Sequence, residues 1–96
     1  MEFQIWFSIE AAESLACLEQ VDIKKCRKVK KTLALMQTNL RHPSLCTHKY
    51  DEYTGPAGEE VFESYVENKT PGAYRVFWCY GPPQRIITIL AITPHP

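Results

Sequence analysis

Residues 72–96 read "GAYRVFWCYGPPQRIITILAITPHP". Two apolar runs flank the turn signal "GPPQ", which makes the stretch a β-hairpin with strands over 73–80 and 85–92. The second run is apolar on both faces and so belongs inside a sheet. Prolines bound the runs without interrupting them, as a hydrogen-bond ladder requires. In the first run Tyr74, Val76, Trp78 and Tyr80 share one face, and Arg75, Phe77 and Cys79 share the other. Arg75 thus stands among aromatic residues at mid-strand, where a lone buried charge is costly. It needs an acidic partner or an anionic ligand.

Both readings of Arg75 are open at this level. Upstream, "EVFESYVE" over 60–67 forms another strand, joined by the turn "NKTPG". Glu63 on that strand is a candidate cross-strand partner for Arg75. The other reading is a phosphate clamp, because guanidinium binds phosphate through two parallel hydrogen bonds. His95 stands between Pro94 and Pro96 in "TPHP". Its imidazole titrates near neutrality and can exchange a proton, although a histidine at a chain end also reads as a frayed residue. His48 and Lys49 lie in the loop before the sheet, as a proton acceptor and a phosphate-neutralising cation or as two solvated side chains. Tyr50 and Tyr53 in the same loop read as a packed lid or as base-stacking groups.

Toward the start, "FQIWFSI" over 3–9 alternates as a first strand. Ser8 is placed to cap a helix running to about Gln20, with Leu15 and Leu18 turned inward. Asp22 caps a second helix, making an αα-hairpin. On it, Ile23, Cys26, Val29, Leu33, Met36 and Leu40 recur at spacings of three and four, giving one apolar stripe. Pro43 disfavours helix at His42, and "CTHKYDEY" extends only briefly. The expected fold is α+β: an N-terminal strand, a helical hairpin, then a three-stranded antiparallel meander, all in one twisted sheet. The length suits a single domain, residues 1–96.

Eleven bases balance eleven acids, but they are segregated. Residues 23–50 hold eight Lys or Arg and no acid, whereas residues 51–67 hold six acids and no base. Lys24, Arg27, Lys28 and Lys31 lie off the apolar stripe, as a solvated face or as a patch tracking an RNA backbone. The four cysteines match no zinc-ligand spacing and read as reduced, mostly buried thiols. No apolar run reaches the length of a membrane span. The start lacks a signal-peptide pattern, so the expected location is cytoplasmic.

Three stretches together resemble the RelE/ParE superfamily of toxins from bacterial toxin–antitoxin systems. They are "IWFSIEAAESL", "LRHPSLCTHKYDEYTG" and "PGAYRVFWCYGPPQRIITILAITPHP". The resemblance spans nearly the whole chain through the order and spacing of loose motifs. It implies a ribosome-dependent endoribonuclease (an mRNA interferase) in which the ribose 2′-hydroxyl attacks the adjacent phosphate. Such a reaction needs a proton acceptor, a proton donor and positive charge at the phosphate, and no metal or other cofactor. By this resemblance Arg75 matches the phosphate-stabilising arginine and His95 the proton-transferring histidine, with Lys49 and His48 completing the catalytic set. Lys24, Arg27, Lys28 and Lys31 would bind RNA or the ribosome. The implied partners are a cognate antitoxin, the ribosome and messenger RNA, with no membrane. The alternatives are a ParE-like toxin that binds a protein such as DNA gyrase, and an inactive relative.

Overall fold

Local capping chemistry sets the first half of the chain. The computed structural model describes residues 2–95. Strand β1 (Gln4–Phe7) ends where Ser8 caps helix α1 (Ile9–Val21), its Oγ accepting the Ala11 N–H at 3.0 Å. Asp22 alone joins α1 to helix α2 (Ile23–Thr38). Its N–H donates to the Leu18 carbonyl at 2.8 Å, and its carboxylate accepts the Lys25 N–H at 3.1 Å. One residue thus satisfies orphan groups of both helix ends. The stripe on α2 is buried at Cys26, Val29, Leu33 and Met36. Ile23 is exposed, and α2 stops at Thr38, short of Leu40, where the Asn39 N–H closes on the Leu35 carbonyl.

A single 3-10 turn (Pro43–Leu45) leads into four strands: β2 (His48–Thr54), β3 (Glu60–Tyr65), β4 (Tyr74–Tyr80) and β5 (Ile86–Pro94). The sheet order is β1-β5-β4-β3-β2. This corrects the expected three-stranded meander. β2 pairs antiparallel with β3 and makes the meander four-stranded, and β1 joins the other edge parallel to β5, so the sheet is mixed. The segment "HKYDEYT" hides its strand character because it is an edge strand with mostly exposed polar side chains, where charge blunts edge-to-edge pairing. The α1–α2 hairpin spans the crossover from one edge of the sheet to the other. β5 lies inside the sheet, as its apolar composition requires.

The helices cover one face. Val76 and Trp78 of β4 and Ile87, Ile89 and Ile92 of β5 pack against Ala11 and Leu18 of α1 and Cys26, Val29, Leu33 and Met36 of α2. Trp78 anchors this layer, stacked on Phe62 at 5.0 Å, with its indole N–H on Ser64 Oγ at 2.9 Å. On the opposite face Phe77 is buried beneath Tyr50 and Tyr53, whose rings stand 4.9 and 5.1 Å from it. The two tyrosines therefore form a lid, although from a strand and not a loop. The Tyr50 hydroxyl donates to Glu52, which holds the phenol up at about 12 and keeps it neutral.

A register shift in β4–β5 has a large consequence. Trp78 pairs with Ile89 but Phe77 pairs with Ala91, leaving Leu90 as the extra residue of a β-bulge. Before the bulge, the odd positions Ile87 and Ile89 face the helices; after it, Ile92 does, and Thr93 stands opposite Arg75 on the open face. Cys26 and Cys79 are buried, whereas Cys17 and Cys46 are exposed, so only half of the thiols match the expected burial. No helix among the described residues is long and apolar enough to cross a membrane.

Candidate functional site

Glu63 is the centre of the open face. Its position on β3 alternates with Val61 and Tyr65, so the sheet buries its carboxylate, and neighbours on three other segments surround it. From β2, directly opposite, His48 Nε2 reaches Glu63 Oε1 at 2.7 Å. From beyond the end of β5, His95 Nδ1 reaches Oε2 at 3.0 Å. From β4, diagonally across, Arg75 Nε approaches the same oxygen at 3.6 Å. A buried carboxylate requires such company, since an unpaired one is prohibitively costly.

Each partner is itself fixed. Cys46 adopts the left-handed conformation (φ 47, ψ 39), and its carbonyl lies 2.7 Å from His48 Nδ1. A cysteine pays a steric penalty there, and such conformations persist where surrounding contacts enforce them. The His95 backbone N–H is bonded to the Ala73 carbonyl at 2.8 Å. Arg75 is only 6 % exposed. Its guanidinium lies against the face of Tyr65, with Cζ 3.6 Å from the ring centroid. Arg75 Nη1 donates to the carbonyls of Glu67 and Tyr74, while the buried Nε has no hydrogen bond within the described residues.

Glu67 braces Arg75 from behind. Its carboxylate accepts from Lys25 Nζ at 2.5 Å, Lys28 Nζ at 3.1 Å and the Tyr74 N–H at 3.2 Å. Burial would push this carboxyl up, but those three donors outweigh burial and bring it down to about 2 from an ordinary 4.5. A carboxyl depressed on folding stabilises the fold above its unfolded value, and that contribution disappears as pH falls toward the folded value. At ~1.4 kcal/mol per tenfold change in proton affinity the effect is about 3 kcal/mol. Because Lys28 is 59 % exposed, screening reduces it to about 2 kcal/mol. Urea unfolding of wild type and Glu67→Gln should therefore differ by about 2 kcal/mol at neutral pH, with the gap shrinking steadily below about pH 4.5. A gap that stays constant down to the acid limit would contradict this account.

The residues singled out from sequence divide sharply. Arg75, His95 and His48 come together on one carboxylate. Lys49 does not join them: alternation from His48 turns it to the other side of β2, opposite Phe62, where its Nζ meets Glu60 at 3.4 Å and Asp51 at 3.5 Å. Lys24 and Arg27 are exposed on α2. Lys28 and Lys31 border a cavity of about 390 Å³ whose wall includes Leu35, Leu45 and Tyr65, next to the Glu63 cluster. Sequence reasoning gave Glu63 no role beyond pairing with Arg75, and it missed Tyr65 and Glu67. The available signal was an acid at an inward strand position between Val61 and Tyr65.

No protein-family model and no curated protein matches this sequence. Solved structures do match its shape. A YoeB/ParE toxin from Agrobacterium tumefaciens superposes with a TM-score of 0.72 at 5 % identity, covering 98 % of this chain and 100 % of that one. The archaeal RelE–RelB complex from Pyrococcus horikoshii OT3 gives 0.68 at 14 % identity, covering 98 % and 96 %. The YoeB dimer from Staphylococcus aureus gives 0.65 at 17 % identity, covering 100 % of both chains. The chain therefore has the α+β fold of the RelE/ParE toxins.

Proposed function

We propose that this protein is a RelE-type toxin that cleaves messenger RNA on the ribosome. The observation that carries the reading is the convergence of Arg75, His95 and His48 on Glu63 from four separate segments of the chain. It gathers a largely buried guanidinium and two half-exposed imidazoles around one carboxylate. In such a site the guanidinium stabilises charge on the phosphate while an imidazole takes the proton of the attacking 2′-hydroxyl. The products are a 2′,3′-cyclic phosphate and a free 5′-hydroxyl. Lys24, Arg27, Lys28 and Lys31 supply sequence-independent attraction to an RNA backbone. The solved YoeB–YefM and RelE–RelB complexes support a protein antitoxin as partner here as well.

One observation favours the rival reading of a toxin that acts by binding a protein. Arg75 is covered by Tyr65 and tethered by two backbone carbonyls, so a phosphate must compete for it. Controlled induction in a bacterial host separates the readings. Growth arrest with new transcript 5′ ends, both lost in Arg75→Ala/His95→Ala, is the expected result. Intact transcripts with DNA damage would establish protein binding instead, and arrest retained by the double variant would defeat the site assignment.

A further inference from the structure

Counting hydrogens around Glu63 separates two histidines that look equivalent in sequence. His48 Nδ1 lies 2.7 Å from the Cys46 carbonyl, an atom that can only accept, so Nδ1 carries a hydrogen. His48 Nε2 lies 2.7 Å from Glu63 Oε1, so another hydrogen must sit between those two atoms. A neutral imidazole has one N–H, and a carboxylate has none. The His48–Glu63 pair therefore holds one proton more than a neutral histidine beside a carboxylate.

The surrounding groups decide where that proton rests. Glu63 Oε2 faces His95 Nδ1 at 3.0 Å and the permanently charged Arg75 at 3.6 Å. Tyr65 on β3 engages the Arg75 guanidinium, Tyr50 on β2 is a neutral phenol bonded to Glu52, and the Cys46 thiol turns to the Pro43 carbonyl. Glu63 accepts from both imidazoles and faces the Arg75 cation, which are the surroundings of a carboxylate and not of a carboxylic acid. The proton then belongs to His48. His95, donating through Nδ1, is left with a free Nε2 on a side chain that is 48 % exposed.

We propose that Glu63 is a positioning residue that holds the two imidazoles in different protonation states. It keeps His48 as a doubly protonated cation with both N–H groups engaged, and His95 as the Nδ1–H tautomer with Nε2 free to accept a proton. With His48 and Arg75 both charged around one carboxylate, the cluster keeps a net positive charge for a phosphate. In the nuclease reading, on which only this use of Nε2 rests, the 2′-hydroxyl proton passes to His95 Nε2. The O2′–P bond forms, the P–O5′ bond breaks, and water supplies a proton to the departing 5′-oxygen.

The test is histidine side-chain ¹⁵N–¹H correlation spectroscopy of the full chain, read across the neutral pH range, on wild type, Glu63→Gln and His48→Asn. Wild type should show two protonated nitrogens on His48 and protonation only at Nδ1 on His95. Glu63→Gln should return His48 to a neutral imidazole and mix the His95 tautomers. His48→Asn should leave the His95 tautomer in place and covers the case in which Glu63→Gln does not fold. An unprotonated His48 Nε2 in wild type, or a His95 tautomer unchanged by Glu63→Gln, would overturn the proposal. Transcript cleavage by Glu63→Gln should fall on the order of tenfold or more at neutral pH. Expected spectra from a protein that cuts no RNA would sink the nuclease reading and leave the proton arrangement standing. Cleavage with the wrong spectra would do the reverse.

Discussion

Under the proposed nuclease function, replacing Arg75 with alanine is expected to lower transcript cleavage on the order of a hundredfold or more, the usual loss when a preorganised charge stabiliser is removed. The same change should cost about 3 kcal/mol of folding free energy, the scale for breaking one side of a buried ion pair. Both effects have one origin. The guanidinium lies under Tyr65, donates to two backbone carbonyls and faces the buried Glu63 carboxylate. Its removal strands two acceptors and takes a cation away from a carboxylate. Arg75→Lys restores the charge but not the planar fork, so it should recover part of the stability and little of the cleavage. Urea unfolding read beside mapping of transcript ends separates the two effects. Equal losses of cleavage in Arg75→Lys and in an equally destabilised variant remote from the site would show that only stability was at stake.

Trp78→Ala is expected to have the largest structural effect, about 4 kcal/mol. The indole is fully buried, stacks on Phe62, meets Tyr80 edge-on at 4.9 Å and donates to Ser64 Oγ, which also contacts Thr47 Oγ1 at 2.7 Å. Alanine leaves a cavity between the sheet and the helices and removes the ring that packs β4 against Phe62 and Ser64 of β3. Against a typical domain stability of about 5–15 kcal/mol, the variant should lie near the edge of folding. Trp78→Phe keeps most of the contact but frees Ser64, which retains Thr47, so a loss nearer 1 kcal/mol is expected. Chemical denaturation followed by far-ultraviolet circular dichroism measures both. A Trp78→Ala loss as small as that of Trp78→Phe would mean that the layer closes over the gap.

The parts legible in the sequence were those governed by nearest neighbours. Ser8 and Asp22 announce their helices because a cap is a contact between residues three positions apart. The stripe from Cys26 to Met36 and the alternation of β4 are likewise local periodicities. β2 was not legible, because an edge strand is defined by its hydrogen bonds to a partner and here carries no apolar alternation. The difference between His48 and Lys49 followed from the same gap: once β2 is a strand, adjacent residues must point to opposite faces.

By itself, the sequence determined the two helices, the apolar hairpin of β4 and β5, and an arginine in need of a counter-charge. Tertiary structure decided that Arg75 and His95 meet. Unbroken alternation along β5 would place His95 on the side of Ile87 and Ile89, against the helices. The extra residue at Leu90 inverts that parity, so Thr93 stands opposite Arg75 and His95 reaches Glu63 on the open face. The reason is the two-residue period of a strand: inserting one residue into one of two paired strands exchanges the faces of everything beyond it.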